Sequence, residues 1–137
     1  MSFEQQLIRW RRELHQNPEL SLQEVATTAR IRDWLQSAGI APLPLELKTG
    51  AVAEVGQGER VVALRADIDA LPIEEATGLE YRSQNPGVMH ACGHDIHTSV
   101  ILGAALLLKA RETSLPGRVR ILFQPAEENF GGAKTLI

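Results

Sequence analysis

The chain has 137 residues, 44% of them hydrophobic and 23% charged, with a formal net charge of -3. That balance suits one folded domain with its own core and excludes wholesale disorder. No block of Lys and Arg stands out, which argues against nucleic acid as a partner, and the longest apolar stretch, Val100 to Leu108, is too short to span a bilayer.

Ser2-x-x-Gln5 reads as a capping box, and Phe3, Leu7, Trp10 and Leu14 then recur at helical spacing. This first helix should stop near His15 to Pro18, because proline disfavours helical geometry in the residue before it. His15 at the helix end is expected to cap or pack rather than to bind a metal. Ser21-x-x-Glu24 reads as a second capping box, followed by Ile31, Trp34, Leu35 and Ala38, with Gly39 as the glycine that ends the helix. Ala51 to Val55 and Arg60 to Ala66 are short β-type runs around Gly56-Gln-Gly58, the pattern of a hairpin. Val61 to Leu64 is apolar at every position and predicts a central strand buried on both faces. Residues 73–90 read as loop. Ile96 to Lys109 predicts a helix that is apolar nearly all round and therefore largely buried. Pro116-Gly117 turns into a last strand, Val119 to Phe123, and Gly131-Gly132 opens what reads as a further helix running to the end of the chain. Helices interleaved with strands predict an α/β fold, a mixed sheet flanked by helices.

The chemistry is concentrated in two places. His90-Ala-Cys92-Gly-His94-Asp95-Ile-His97 holds three histidines and the single cysteine within eight residues, and Gln124-Pro-Ala-Glu127-Glu128 places two adjacent carboxylates just beyond an apolar strand. Cys92 and His94 are two positions apart, so in an extended segment both project to one side and can face one metal. Of Glu127 and Glu128, one can ligate while the other takes a proton from water. Asp67, Asp69, Asp95 and His97 are candidates to orient the ligands. Both acidic clusters follow strand ends, where open α/β sheets place their ligand sites. A rival reading, a structural zinc held by His90, Cys92, His94 and His97, lacks the usual spacing of two separated ligand pairs. One cysteine makes no internal disulfide, and the N-terminus has no basic-then-apolar leader, so a cytoplasmic protein is expected.

Arg11-Arg-x-x-His15-x-x-Pro18-Glu19, Arg65-Ala-Asp67-x-Asp69-Ala-Leu-Pro, Met89-His-Ala-Cys92-Gly-His94-Asp95-x-His97 and Gln124-Pro-Ala-Glu127-Glu128 occur in that order. Together they resemble the M20 metallopeptidase family in its amidohydrolase branch, which includes N-acyl-amino-acid amidohydrolases, hippurate hydrolases and auxin-conjugate hydrolases. The resemblance implies the N-terminal part of a zinc-exopeptidase-like catalytic domain holding two divalent metal ions, zinc or manganese, with cobalt or nickel as alternatives. It implies Cys92, His94 and Glu128 as metal ligands and Glu127 as the general base that activates water. The implied reaction is hydrolysis of the amide bond of a small N-acyl amino acid. Members of the family are longer, so the further expectation is that residues 1–137 form the first third of such a protein. Two more histidine ligands and a smaller domain, which commonly makes homodimers, would then lie beyond it. The alternative is a catalytically inactive remnant or a weak metal-binding module.

Overall fold

The computed structural model describes residues 1–136. Helix α1 spans Phe3–Gln16, and its capping box forms as the sequence predicts: Gln5 N donates to Ser2 Oγ at 3.2 Å and Ser2 N to Gln5 Oε1 at 2.9 Å. Helix α2 spans Val25–Ser37 and ends at Gly39, whose φ of +72° is the left-handed geometry that glycine tolerates. Its start departs from expectation. Ser21 and Glu24 do not form a box, because both side chains are recruited elsewhere: Ser21 Oγ donates to Asp69 and Glu24 Oε1 accepts from Ala126 N at 2.8 Å. The carboxylate of Glu19 caps α2 instead, accepting from Ala26 N at 3.1 Å and Thr27 N at 2.7 Å.

The strands β1 (Ala51–Gly56), β2 (Val61–Asp67) and β3 (Arg118–Gln124) form one mixed sheet in the order β1-β3-β2. β3 runs antiparallel to β1 and parallel to β2. The expected hairpin between β1 and β2 is therefore absent. β3 enters between them, and Gly56, one of the glycines that suggested a turn, and Gly117, just before β3, leave room for the close approach. A Cβ on Gly56 would lie 2.4 Å from Gly117 O, and one on Gly117 would lie 2.6 Å from Arg60 O.

The central strand is β3, with Val119, Ile121 and Phe123 buried, while β2 is an edge strand. Val61 and Val62 are exposed, contrary to the reading of this run as buried on both faces. Helix α3, His94–Lys109, begins two residues earlier than expected and buries only one face. Leu102 and Ala105 are fully buried against the sheet and α1, but Ile96, Val100 and Leu107 are exposed. The helix expected after Gly131-Gly132 is a single 3-10 turn at Ala133–Thr135 in the described residues, with Ile137 outside them. The core joins Ile31 and Leu35 of α2 to Ile121 and Phe123 of β3, and Trp10 stacks on Trp34 with ring centroids 5.0 Å apart. No helix of the described residues is long and apolar enough to cross a membrane.

Because β2 and β3 are parallel and in register from Val61↔Arg118 to Asp67↔Gln124, their carboxyl ends leave the sheet side by side. Ile68 N donates to Gln124 O at 3.0 Å and carries the pairing one step further. Residues 67–69 and 125–128, the two acidic clusters, are thereby delivered to one edge, where α3 begins.

Candidate metal centre

Asp69 organises this edge. It is 1% exposed, and its Oδ2 accepts from Ser21 Oγ at 2.7 Å and from the backbone N–H of Glu128 at 3.0 Å. Its backbone carbonyl lies 2.8 Å from His94 Nδ1, and its Oδ1 lies 3.4 Å from the same nitrogen. Burial works to raise the Asp69 pKa, but the bonds from His94, Ser21 and the Glu128 and Glu127 amides outweigh it and hold the pKa at about 2. His94 answers in the opposite direction. Burial works to lower its pKa, and the Asp69 carboxylate and carbonyl raise it to about 9. With Nδ1 committed to Asp69, Nε2 is the nitrogen left to face the centre.

Nε2 of His94 stands 3.8 Å from Glu127 Oε2 and 3.9 Å from Glu128 Oε1. These separations are long for hydrogen bonds and close to those of atoms that share an ion, since bonds of about 2.1 Å at tetrahedral angles place ligand atoms about 3.4 Å apart. One ligating atom from each of His94, Glu127 and Glu128 lies within 4.8 Å of the others. Glu128 Oε1 is buried without a hydrogen-bond partner, an orphaned anionic acceptor of the kind a cation satisfies. The Glu127 side chain is 35% exposed against 20% for Glu128, so Glu127 is the carboxylate more open to incoming water and substrate.

A constrained turn presents both carboxylates. Ala126 adopts φ +50° and Phe130 φ +61°, left-handed geometry unusual outside glycine, and Phe130 N closes on Glu127 O at 3.0 Å. Gly132 cannot be replaced without rebuilding the turn, because a Cβ there would lie 1.5 Å from Pro125 O.

Cys92 is the predicted site residue that stands apart. It is a free, exposed thiol outside the group formed by the other three. It does neighbour the centre: hydrogen bonding to Glu128, then burial and the nearby carboxylates, raise its pKa. The four candidate ligands of the rival zinc reading do not converge. His90 is buried, Cys92 and His97 are exposed, and among the described residues only His94, Glu127 and Glu128 form a group of three or more potential ligands. The His97 ring lies 5.8 Å from that of His94. Asp67 pairs with Arg65, 2.8 Å away, and plays no part in the group. Neither ring nitrogen of His90 has a hydrogen-bond partner, and burial lowers its pKa to about 4. Ser21 and Glu24, read from the sequence as helix-capping residues, are supports of the site. Nothing in local spacing marks them, because their partners lie 48 and 102 residues away.

Residues 63–137 match peptidase family M20/M25/M40. The whole chain is 56% identical over 138 residues to an N-acetyl-L-cysteine deacetylase of Bacillus subtilis, covering 99% of this chain and 33% of that protein. It is 49% identical over 134 residues to an N-acyl-L-amino acid amidohydrolase of Geobacillus stearothermophilus, covering 96% and 36%. The structure superposes with a TM-score of 0.95 on the Bacillus subtilis YXEP protein, a dinuclear metal-binding peptidase of the M20 family, at 52% identity over 98% of this chain and 38% of that one. The chain thus spans about a third of the length of the relatives it matches. In sequence and in fold, this chain belongs to peptidase family M20/M25/M40.

Proposed function

We propose that the chain contributes the His94, Glu127 and Glu128 side of a metal centre that hydrolyses the amide bond of N-acyl amino acids. The observation that carries this reading is the convergence of His94 Nε2 and the two glutamates on one point, with Glu128 Oε1 buried and unpaired. The names of the relatives, a deacetylase and an amidohydrolase, support the reaction class, and the dinuclear neighbour supports a site for two divalent ions.

In this reading Cys92, His94 and Glu128 hold metal. Thiolate and imidazole donors favour zinc, with manganese as the alternative that carboxylates admit. A lone free cysteine used as a ligand also fits a cytoplasmic protein, where thiols stay reduced. When bound, the metal polarises the amide carbonyl and makes water a better nucleophile. Glu127, the more open carboxylate, takes a proton from the attacking water and passes it to the nitrogen of the departing amino acid. Asp69 keeps the His94 Nδ1 side occupied, so that Nε2 alone is presented. The substrate is small, consisting of an acyl group and one amino acid.

The test is turnover of a panel of N-acetyl amino acids by the zinc- and manganese-loaded protein, beside Glu127→Gln with its metal content measured. Hydrolysis by the wild type, lost by at least about 100-fold in a variant that keeps its metal, is the expected outcome. Metal binding without turnover in the wild type would make this chain a binding module, and loss of metal in Glu127→Gln would contradict the assigned roles.

A further inference from the structure

The motif Arg11-Arg-x-x-His15-x-x-Pro18-Glu19 has no place in the chemistry above, yet its histidine is among the most enclosed polar groups of the fold. His15 is 3% exposed, and each ring nitrogen meets a carboxylate: Nδ1 lies 2.8 Å from Asp95 Oδ2 and Nε2 lies 3.1 Å from Glu75 Oε1. The two carboxylates belong to different segments. Asp95 directly follows His94 in the first turn of α3, is 1% exposed, and also meets Arg11 Nε at 2.9 Å. Glu75 belongs to the long loop that ends in Cys92. That loop is pinched at its neck by two backbone bonds of 3.0 Å between Leu71 and Met89. Its body is gathered by Glu75, whose Oε2 accepts from Ser83 N at 2.6 Å. Two more bonds tie it to the end of α1: Gln84 N to Gln16 O at 2.9 Å and Asn85 Nδ2 to Pro18 O at 2.7 Å.

We propose that His15 is a positioning residue of the metal centre: by holding Glu75 on one nitrogen and Asp95 on the other, it fixes the loop that carries Cys92 against the helix start that carries His94. This rests on the metal-centre reading above and assigns to that site a residue about 80 positions away in sequence from His94. The need for such a device follows from the geometry. Cys92 and His94 flank Gly93, at φ +81°, and a residue without a side chain restrains φ and ψ little, so the relative placement of the two proposed ligands depends on contacts from outside. Outer contacts of this kind typically change metal affinity 10- to 100-fold when removed.

The experiment compares the wild type with His15→Phe, which keeps the volume but removes both bonds, and Glu75→Gln, which alters the loop side alone. Leu14→Ala serves as a control that weakens the neighbouring core without touching the clamp. Amide hydrogen exchange on the metal-free chains is read first, then titration with cobalt, following the thiolate-to-cobalt absorption that reports Cys92.

Faster exchange of at least about tenfold confined to residues 72–95, with metal affinity down by about 10- to 100-fold and a weakened thiolate band, is expected for both clamp variants. Leu14→Ala should instead loosen α1 and the core together and leave the thiolate band intact. Wild-type exchange, affinity and spectrum in both variants would overturn the proposal. So would a loosened loop with an unchanged thiolate band, which would make His15 structural only. A wild type that binds no cobalt would refute the metal reading itself and the positioning role with it, whatever the exchange pattern.

Discussion

Asp69 shows how much of the centre depends on one buried carboxylate. It touches the imidazole of one proposed ligand, the backbone amide of another, and a serine from the segment before α2. Replacing it by Asn keeps the shape, but removes the charge that draws the imidazole and introduces a donor where two donors already point. Asp69→Asn is predicted to lower zinc affinity by about 10- to 100-fold while the chain stays folded, measured by competition with a chromophoric chelator beside circular dichroism. Unchanged affinity would mean that His94 is oriented by the Asp69 carbonyl alone.

The residues proposed to hold metal were legible as candidates in the sequence, since imidazole, thiol and paired carboxylates are scarce and were clustered. The residues that hold them were legible only by type. Ser21 and Glu24 matched a capping box so well that their real partners, reached only through the tertiary fold, were hidden. Cys92 matched its motif, yet it stands beside the group of three rather than within it.

At the scale of elements, the sequence named every helix and strand that flanks the site, because apolar spacing and the terminating glycine and proline signals are local. Pairing was not local. Glycines near 56–58 suggested a hairpin, but Gly56 lies where Gly117, leading into β3, passes too close for a side chain, and β3 enters between β1 and β2. An apolar run such as Val61 to Leu64 has the same composition at a sheet edge as at its centre, so only the topology distinguishes the two. The all-round apolar sequence of α3 likewise does not reveal which face is covered.

The start of α2 offers a direct check. Glu19 satisfies two of its first N–H groups from outside the helix, so Glu19→Ala should destabilise the chain by about 1 kcal/mol, whereas Ser21→Ala should act mainly on the metal centre. Urea unfolding of both variants separates the roles. Equal stability of Glu19→Ala and wild type would mean that solvent caps the helix as well as Glu19 does.

Across the whole molecule, α1, the 72–93 loop and α3 meet where His15 contacts Glu75 and Asp95, and Glu75 is predicted to contribute to acid sensitivity. Burial alone would raise the Glu75 pKa, but bonds from Thr77, Ser83 and His15 hold it at about 2, against an ordinary value of 4.5. The unfolded chain therefore takes up this proton at higher pH than the folded chain does. The contribution is complete above about pH 4.5 and is lost as pH falls toward 2. Urea midpoints measured between pH 5 and pH 3 should fall more steeply for the wild type than for Glu75→Gln, and parallel slopes would remove Glu75 from the acid transition.

The most direct test of the metal centre is equilibrium dialysis of zinc against the wild type, His94→Ala, Glu128→Ala and Glu127→Gln. Tight binding by the wild type, weakened by at least about 100-fold in His94→Ala and Glu128→Ala but by less than about tenfold in Glu127→Gln, is the predicted pattern. Equal affinity in all four proteins, or a loss confined to Glu127→Gln, would contradict it.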